Sequence, residues 1–181
     1  LAACAGIQTV LRARQDEAAG LAEPVRAAGV GPVRWAGAYL SVAILAVVSC
    51  LAAATAGAAV GQLTTDASQT HLIREGGQAA AGQAIAALTL VIVATLVVVI
   101  APRLSLPVGW ALVGIATVVG LFGPLLGLSD AAVHASPFAA APRIDGDSLD
   151  LRGGTWLAVA VVTGVALLAA AARRRELAPE R

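Results

Sequence analysis

Four stretches without a single charged side chain, residues 36–60, 76–101, 104–129 and 153–172, decide what this chain can fold into. A helix rises about 1.5 Å per residue, so about 20 residues cross a hydrocarbon core of about 30 Å, and each stretch is long enough to do so once. The balance of the chain agrees. With 59% hydrophobic and 13% charged residues and a mean hydropathy of +0.84, it lacks the polar surface that a soluble globule needs. The expected fold class is an all-α membrane protein with four complete transmembrane helices, at about 36–60, 78–101, 105–128 and 154–172. The net charge of +1 suggests no nucleic-acid partner; the partner implied by composition is the lipid bilayer.

The chain opens at Leu1 in an apolar run and contains no methionine. Residues 1–11 are too short to span, and their basic residues follow the run instead of preceding it, so a secretory signal does not fit. They read as the cytoplasmic end of a truncated transmembrane helix in a longer chain. Orientation comes from arginine, which is retained on the cytoplasmic side in short loops. With the segment before the first span inside, Arg12, Arg14, Arg26, Arg34, Arg103, Arg173, Arg174, Arg175 and Arg181 are cytoplasmic, leaving Arg74, Arg143 and Arg152 outside. This predicts a multi-pass protein of the cell (plasma) membrane with a cytoplasmic tail at 173–181. Asp66, Glu75, Asp130, Asp145, Asp147 and Asp150 fall outside in the same layout.

Trp35 and Tyr39 stand at the inner entrance of the first span and Trp156 at the outer entrance of the last, the depth that amphipathic rings prefer. Trp110 lies a few residues inside the third span. Pro102 and Pro107 bracket Arg103, which predicts a tight hairpin of the second and third spans. Close helix approach is expected at small residues, with Ala53/Gly57/Gly61, Gly77/Ala81 and Gly120/Pro124 as candidates.

No span carries an interior charge. Ion-coupled transporters usually keep one as the coupling device, so the energy for any transport is expected from elsewhere. Thr55, Thr89, Thr95, Thr117 and Thr163 are expected to bond back to the preceding turn. Cys4, Cys50, His71 and His134 form no metal-ligand pattern, and no catalytic set or phosphate loop is present, so no catalytic residue, metal or resident cofactor is assigned and the chain is not expected to be an enzyme.

Two polar regions hold the specific information. In residues 12–35, Arg12/Asp16 and Arg14/Glu17 have the spacing of opposite-charge pairs on a helix, and Gly20 is a helix stop. A second short helix starts at Glu23-Pro24 and ends near Gly29, with Leu21, Val25 and Ala28 on one face. The second region, 129–152 with its approach from Gly123, combines helix breakers with apolar runs and is expected to dip into the outer interface.

The arrangement of Arg12, Arg14, Asp16, Glu17, Gly20, Glu23 and Pro24, with Arg34-Trp35 at its end, resembles the cytoplasmic segment of permeases of type 2 ATP-binding-cassette exporters, especially the polyketide-antibiotic exporter group. It departs from the usual pattern at Gln15-Asp16-Glu17 and Gly31-Pro32. Gly123, Pro124, Ser136, Pro137, Phe138 and Pro142 resemble that family's extracellular helical hairpin between its fifth and sixth helices. The resemblance implies a coupling elbow at 12–35, a permease domain at 36–172 with a re-entrant-type outer hairpin, and export of hydrophobic or drug-like compounds such as polyketide antibiotics. It also implies a separate cytoplasmic ABC ATPase subunit that carries ATP and Mg, and another half of the permease, on the same full-length chain or a second copy. The alternative reading is a non-transporting multi-helix membrane scaffold or assembly subunit.

Overall fold

A computed structural model describes residues 1–65, 70–145, 148–150 and 152–177; side chains are described except at 26, 32, 62–65, 70–75, 143–145, 148–150, 152 and 172–177. Asp66, Asp147 and Arg181 lie outside the described residues, as do the side chains of Arg26, His71, Arg74, Glu75, Arg143, Asp145, Asp150, Arg152, Arg173, Arg174 and Arg175.

The chain is all-helical in class. Helix α1 covers Ala2–Ala18, α2 Ala22–Ala27, α3 Pro32–Thr65 and α4 Thr70–Ile100. A 3-10 turn, Pro102–Leu104, leads into α5, Ser105–Thr117, which widens into a π-helical turn at Val118–Phe122. A short α6, Asp130–His134, and a ribbon of β1 (Arg143–Asp145) and β2 (Ser148–Asp150) precede α7, Arg152–Leu177. The ribbon is antiparallel, with Ile144 opposite Leu149. Sequence reading had not anticipated it.

Among the described residues, four helices are long and apolar enough to cross a membrane: Val33–Gly61, Gly76–Ile100, Pro102–Phe122 and Gly153–Ala171. The third ends at Phe122, short of the expected 128. Gly123–Gly127 form a turn there, closed by Leu128 N–H donating to the Gly123 carbonyl with Gly127 at φ +68°. Proline at 124 cannot extend the ladder, and glycine at 127 supplies the left-handed residue that ends it. The first helix shows no break at residue 11; α1 runs on through Arg12 and Glu17, because the charged residues are good helix formers with paired side chains.

Helix α4 is the hub. It packs against α1, α3, α5 and α7, and 56% of its span is buried against 11% for the spans of α3 and α7. The expected α4–α5 hairpin contact forms, but α4 shares more surface with α7, α3 and α1. The core joins Ile7, Val10 and Leu11 of α1, Ala43 and Val47 of α3, Leu90 and Val91 of α4, and Val113 and Ala116 of α5. Outward faces are apolar, including Leu45 and Val48 on α3 and Val159 and Val162 on α7, as a lipid-facing bundle requires.

Of the candidate glycines only Gly120 is closely approached, by Ser136 and Phe138; the other close approaches among the described residues fall at glycines that the spacing did not suggest. A Cβ on Gly57, Gly61 or Gly77 would meet nothing within 4 Å, whereas one on Gly6 would lie 2.5 Å from Val91 Cγ2 and 2.8 Å from Val47 Cγ2. Gly164 approaches Ile92 in the same way. Small-residue spacing carries little information in a chain this rich in alanine and glycine.

Candidate functional site: the elbow and the 129–142 hairpin

The elbow is built from two consecutive glycine-terminated helices. At the end of α1, Leu21 N–H donates to the Asp16 carbonyl and Gly20 N–H to the Glu17 carbonyl, with Gly20 at φ +76°. This is a full Schellman motif, which satisfies carbonyls that a helix end otherwise leaves open. Helix α2 ends likewise, with Val30 N–H on the Val25 carbonyl and Gly29 at φ +82°. Glu23 sits in its first turn, favoured by the helix dipole, with Pro24 beside it. Both are exposed, as is Leu21, while Ala22 is buried. The elbow therefore presents a short, rigid tip.

The expected ion pairs form at long range. Arg12 Nε lies 3.8 Å from Asp16 Oδ1, and an Arg14 Nη lies 3.9 Å from Glu17 Oε2. Such partly exposed pairs contribute at most about 0.5 kcal/mol each. A stronger link was not visible in the sequence: the Tyr39 hydroxyl donates to Asp16 Oδ2 at 2.5 Å, across 23 residues. It ties the end of α1 to the first turns of α3. Tyr39 also stands against Trp35, with ring centroids 5.1 Å apart at 59°. Trp35 Nε1 is buried without an acceptor among the described residues.

At the opposite end, residues 129–142 fold back onto the bundle. Ser129 caps α6, its hydroxyl accepting from Ala132 N–H. Beyond it, the buried Ser136 hydroxyl donates to the Ala116 carbonyl at 2.7 Å. Ala116 lies six residues before the end of its span, so the segment descends about 9 Å below that end. Phe138 packs against the core. Gly120, Gly82 and Gly153 make room: a Cβ on Gly120 would stand 2.7 Å from Ser136 Oγ, one on Gly82 would collide with the Pro142 carbonyl, and one on Gly153 with that of Ala140. Pro137 lies in the turn between Ser136 and Phe138, half-buried, whereas Pro124 is exposed at the rim. Gly123 is buried against Val133. The structure thus gathers Gly123, Ser136, Pro137, Phe138 and Pro142 into one hairpin and keeps the elbow residues at the other end of the bundle.

Between them the bundle offers little chemistry. Thr55, Thr89 and Thr95 hydroxyls donate to carbonyls one turn back, to Leu51 and Ala52, to Ile85 and to Val91. Cys4 and Cys50 are free thiols. Grooves open on the surface among the described residues, including one of about 560 Å³ between α1 and α3 and one of about 590 Å³ between α3 and α4.

Residues 1–174 match the family model described as multidrug efflux system permease Rv1217c, C-terminal domain. No curated protein and no solved structure matches the chain.

Proposed function

Since the chain belongs to the family of the C-terminal domain of multidrug efflux system permease Rv1217c, we propose that it is the C-terminal part of the transmembrane permease of an ABC exporter in the plasma membrane. Its cargo is hydrophobic or drug-like, polyketide antibiotics included. ATP and Mg act on a separate cytoplasmic ATPase subunit, and a further permease half completes the path.

The observation that carries this reading is the Tyr39–Asp16 hydrogen bond. A bundle whose spans hold no charge needs its work delivered from outside, and the elbow is the element shaped to receive it. Two glycine-capped turns make the elbow stiff, Glu23, Pro24 and Leu21 stand exposed at its tip, and the Asp16–Tyr39 bond hands displacement of α1 to α3. Asp16 and Glu17 lie back from the tip beside Arg12 and Arg14, so the tip itself sets the contact with a partner. In this orientation the elbow and the α7 end are cytoplasmic and the hairpin is outside.

The test uses the full-length permease with its ATPase. Glu23→Lys at the exposed tip should reduce co-purification of the ATPase and export together. Asp16→Lys with Glu17→Lys should reduce both and also loosen α3. Unchanged export and unchanged co-purification in both variants would show the coupling assignment to be wrong, and lost assembly without any export activity would favour a scaffold.

A further inference from the structure

We propose that the groove between α1 and α3 binds an anionic phospholipid from the leaflet at the elbow end of the bundle, with its headgroup on Arg12 and Gln8. The groove holds about 560 Å³ and is lined by Ala5, Gln8, Thr9 and Arg12 from α1 and Ala38, Tyr39, Val42 and Ala46 from α3. Its composition is graded along its length. Arg12 and Tyr39 stand at one end; Ala5 and Ala46 stand at the other, because α1 and α3 run antiparallel. The alanines keep the floor open, and Val42 and Ala46 lie about 5 and 10 Å deeper than Tyr39 along α3. A polar end at the depth of Trp35 and Tyr39, continuing into an apolar slot, matches a headgroup followed by an acyl chain.

The donors available fix the sign of the ligand. Gln8 and Arg12 are one turn apart on the same face of α1, and both are exposed. Arg12 is exposed and its pairing with Asp16 is loose, Nε to Oδ1 at 3.8 Å, so the guanidinium can still reach a headgroup. Asp16 and, more weakly, Glu17 act on Tyr39 at this end, and Asp16 Oδ2 already accepts from the Tyr39 hydroxyl. The Thr9 hydroxyl donates to the Ala5 carbonyl and offers the headgroup no proton. What remains is a guanidinium fork and an amide, the donor set for a phosphate oxygen pair. A protein helix laid in the same groove would bury Arg12 against apolar side chains, a costly arrangement for a cation. A lipid headgroup pairs that cation and leaves it wet.

This inference goes beyond the export reading and is measured without transport. The full-length protein is purified from vesicles of phosphatidylcholine containing phosphatidylglycerol, and retained lipid is counted by native mass spectrometry. Phosphatidylglycerol should be enriched over phosphatidylcholine, and Arg12→Gln should lower that enrichment about five-fold, the effect of one interfacial cation. Arg12→Lys should keep part of it. Ala38→Phe, which fills the slot while leaving the charge, should lower it as well. Arg103→Gln, an exposed cation on the α4–α5 turn, should leave it unchanged. Equal loss in Arg12→Gln and Arg103→Gln would mean general surface charge and overturn the proposal. Retention indifferent to both Arg12→Gln and Ala38→Phe would mean that another element fills the groove, and would overturn it too.

Discussion

Gly120→Ala and Ser136→Ala, made singly and together, test whether the 129–142 hairpin is seated on the π-helical turn by direct contact. A Cβ at residue 120 would lie 2.7 Å from Ser136 Oγ and 3.2 Å from Phe138 Cβ. Overpacking of this kind costs about 1–3 kcal/mol, offset by up to about 1 kcal/mol of helix propensity when alanine replaces glycine. Ser136→Ala deletes the hydroxyl that donates to the Ala116 carbonyl. A hydrogen bond between helices in a membrane averages about 0.6 kcal/mol and reaches about 1.7, so about 1 kcal/mol is expected at this buried site. The two effects must couple, since the shortest contact of the new methyl is with the atom that the second substitution removes. Propensity cancels in the cycle, leaving a coupling of at least about 0.5 kcal/mol, with the double variant less impaired than the sum of the singles. Hydrogen exchange of the amides at 131–141 reads this directly. Ser136→Ala alone should lower their protection about five-fold, Gly120→Ala by a comparable or larger factor, and the pair by less than the product. A double variant whose loss equals that product would show that the methyl and the hydroxyl do not meet, and the hairpin would then be held by something other than this contact.

Tyr39→Phe removes the hydroxyl bonded to Asp16. A hydrogen bond to a carboxylate is worth about 1.5–3 kcal/mol, so amide protection over 14–31 should fall at least ten-fold, while Tyr39→Trp, which keeps a donor in a different place, should not restore it. Gly6→Ala should lower thermal stability by about 1–3 kcal/mol because Val47 and Val91 stand in the way. Gly57→Ala, with open space around it, should be neutral or slightly stabilising in the same melt. In the full-length permease, Glu23→Lys is expected to weaken ATPase co-purification without altering that melt, and equal damage to both would point to misfolding.

Features with a local cause could be read from the residues alone. Arg12 with Asp16 and Arg14 with Glu17 sit one helical turn apart, and Gly20 and Gly29 supply backbone angles that other residues resist, so the pairs and both helix ends followed from short spacings. Length and the absence of charge located the spans. The Tyr39–Asp16 bond had no such signal: Tyr39 read as an interfacial ring, and only the antiparallel packing of α1 on α3 brings 23 residues of separation down to one hydrogen bond. The glycines at 6, 82, 153 and 164 were missed for the same reason, since what crowds them comes from other elements. The β1–β2 ribbon did have a signal. Ile144 and Leu149 flank Gly146-Asp147 at hairpin spacing, a pattern hidden among the surrounding acids.

The two ends of the bundle bear on one piece of core. Ile7 and Leu11 carry the elbow helix into a cluster that also holds Val47, Val91, Val113 and Ala116, and Phe138 of the hairpin packs against the same cluster. Ala116 is the residue whose carbonyl accepts from Ser136. Close-packed interiors transmit displacement because they have no slack to absorb it, and Gly6, in contact distance of both Val47 and Val91, leaves α1 no room to shift alone. A push on the elbow must therefore move α3 and α4 with α1 or break the seat of α1 on them. The π-helical turn at Val118–Phe122 is the irregular link in this chain of contacts, a widened turn between α5 and the Gly123–Gly127 turn. Loosening at the elbow by Tyr39→Phe should then reach the hairpin as altered exchange at 136–138, whereas loosening confined to 14–31 would mean that the core uncouples the two ends.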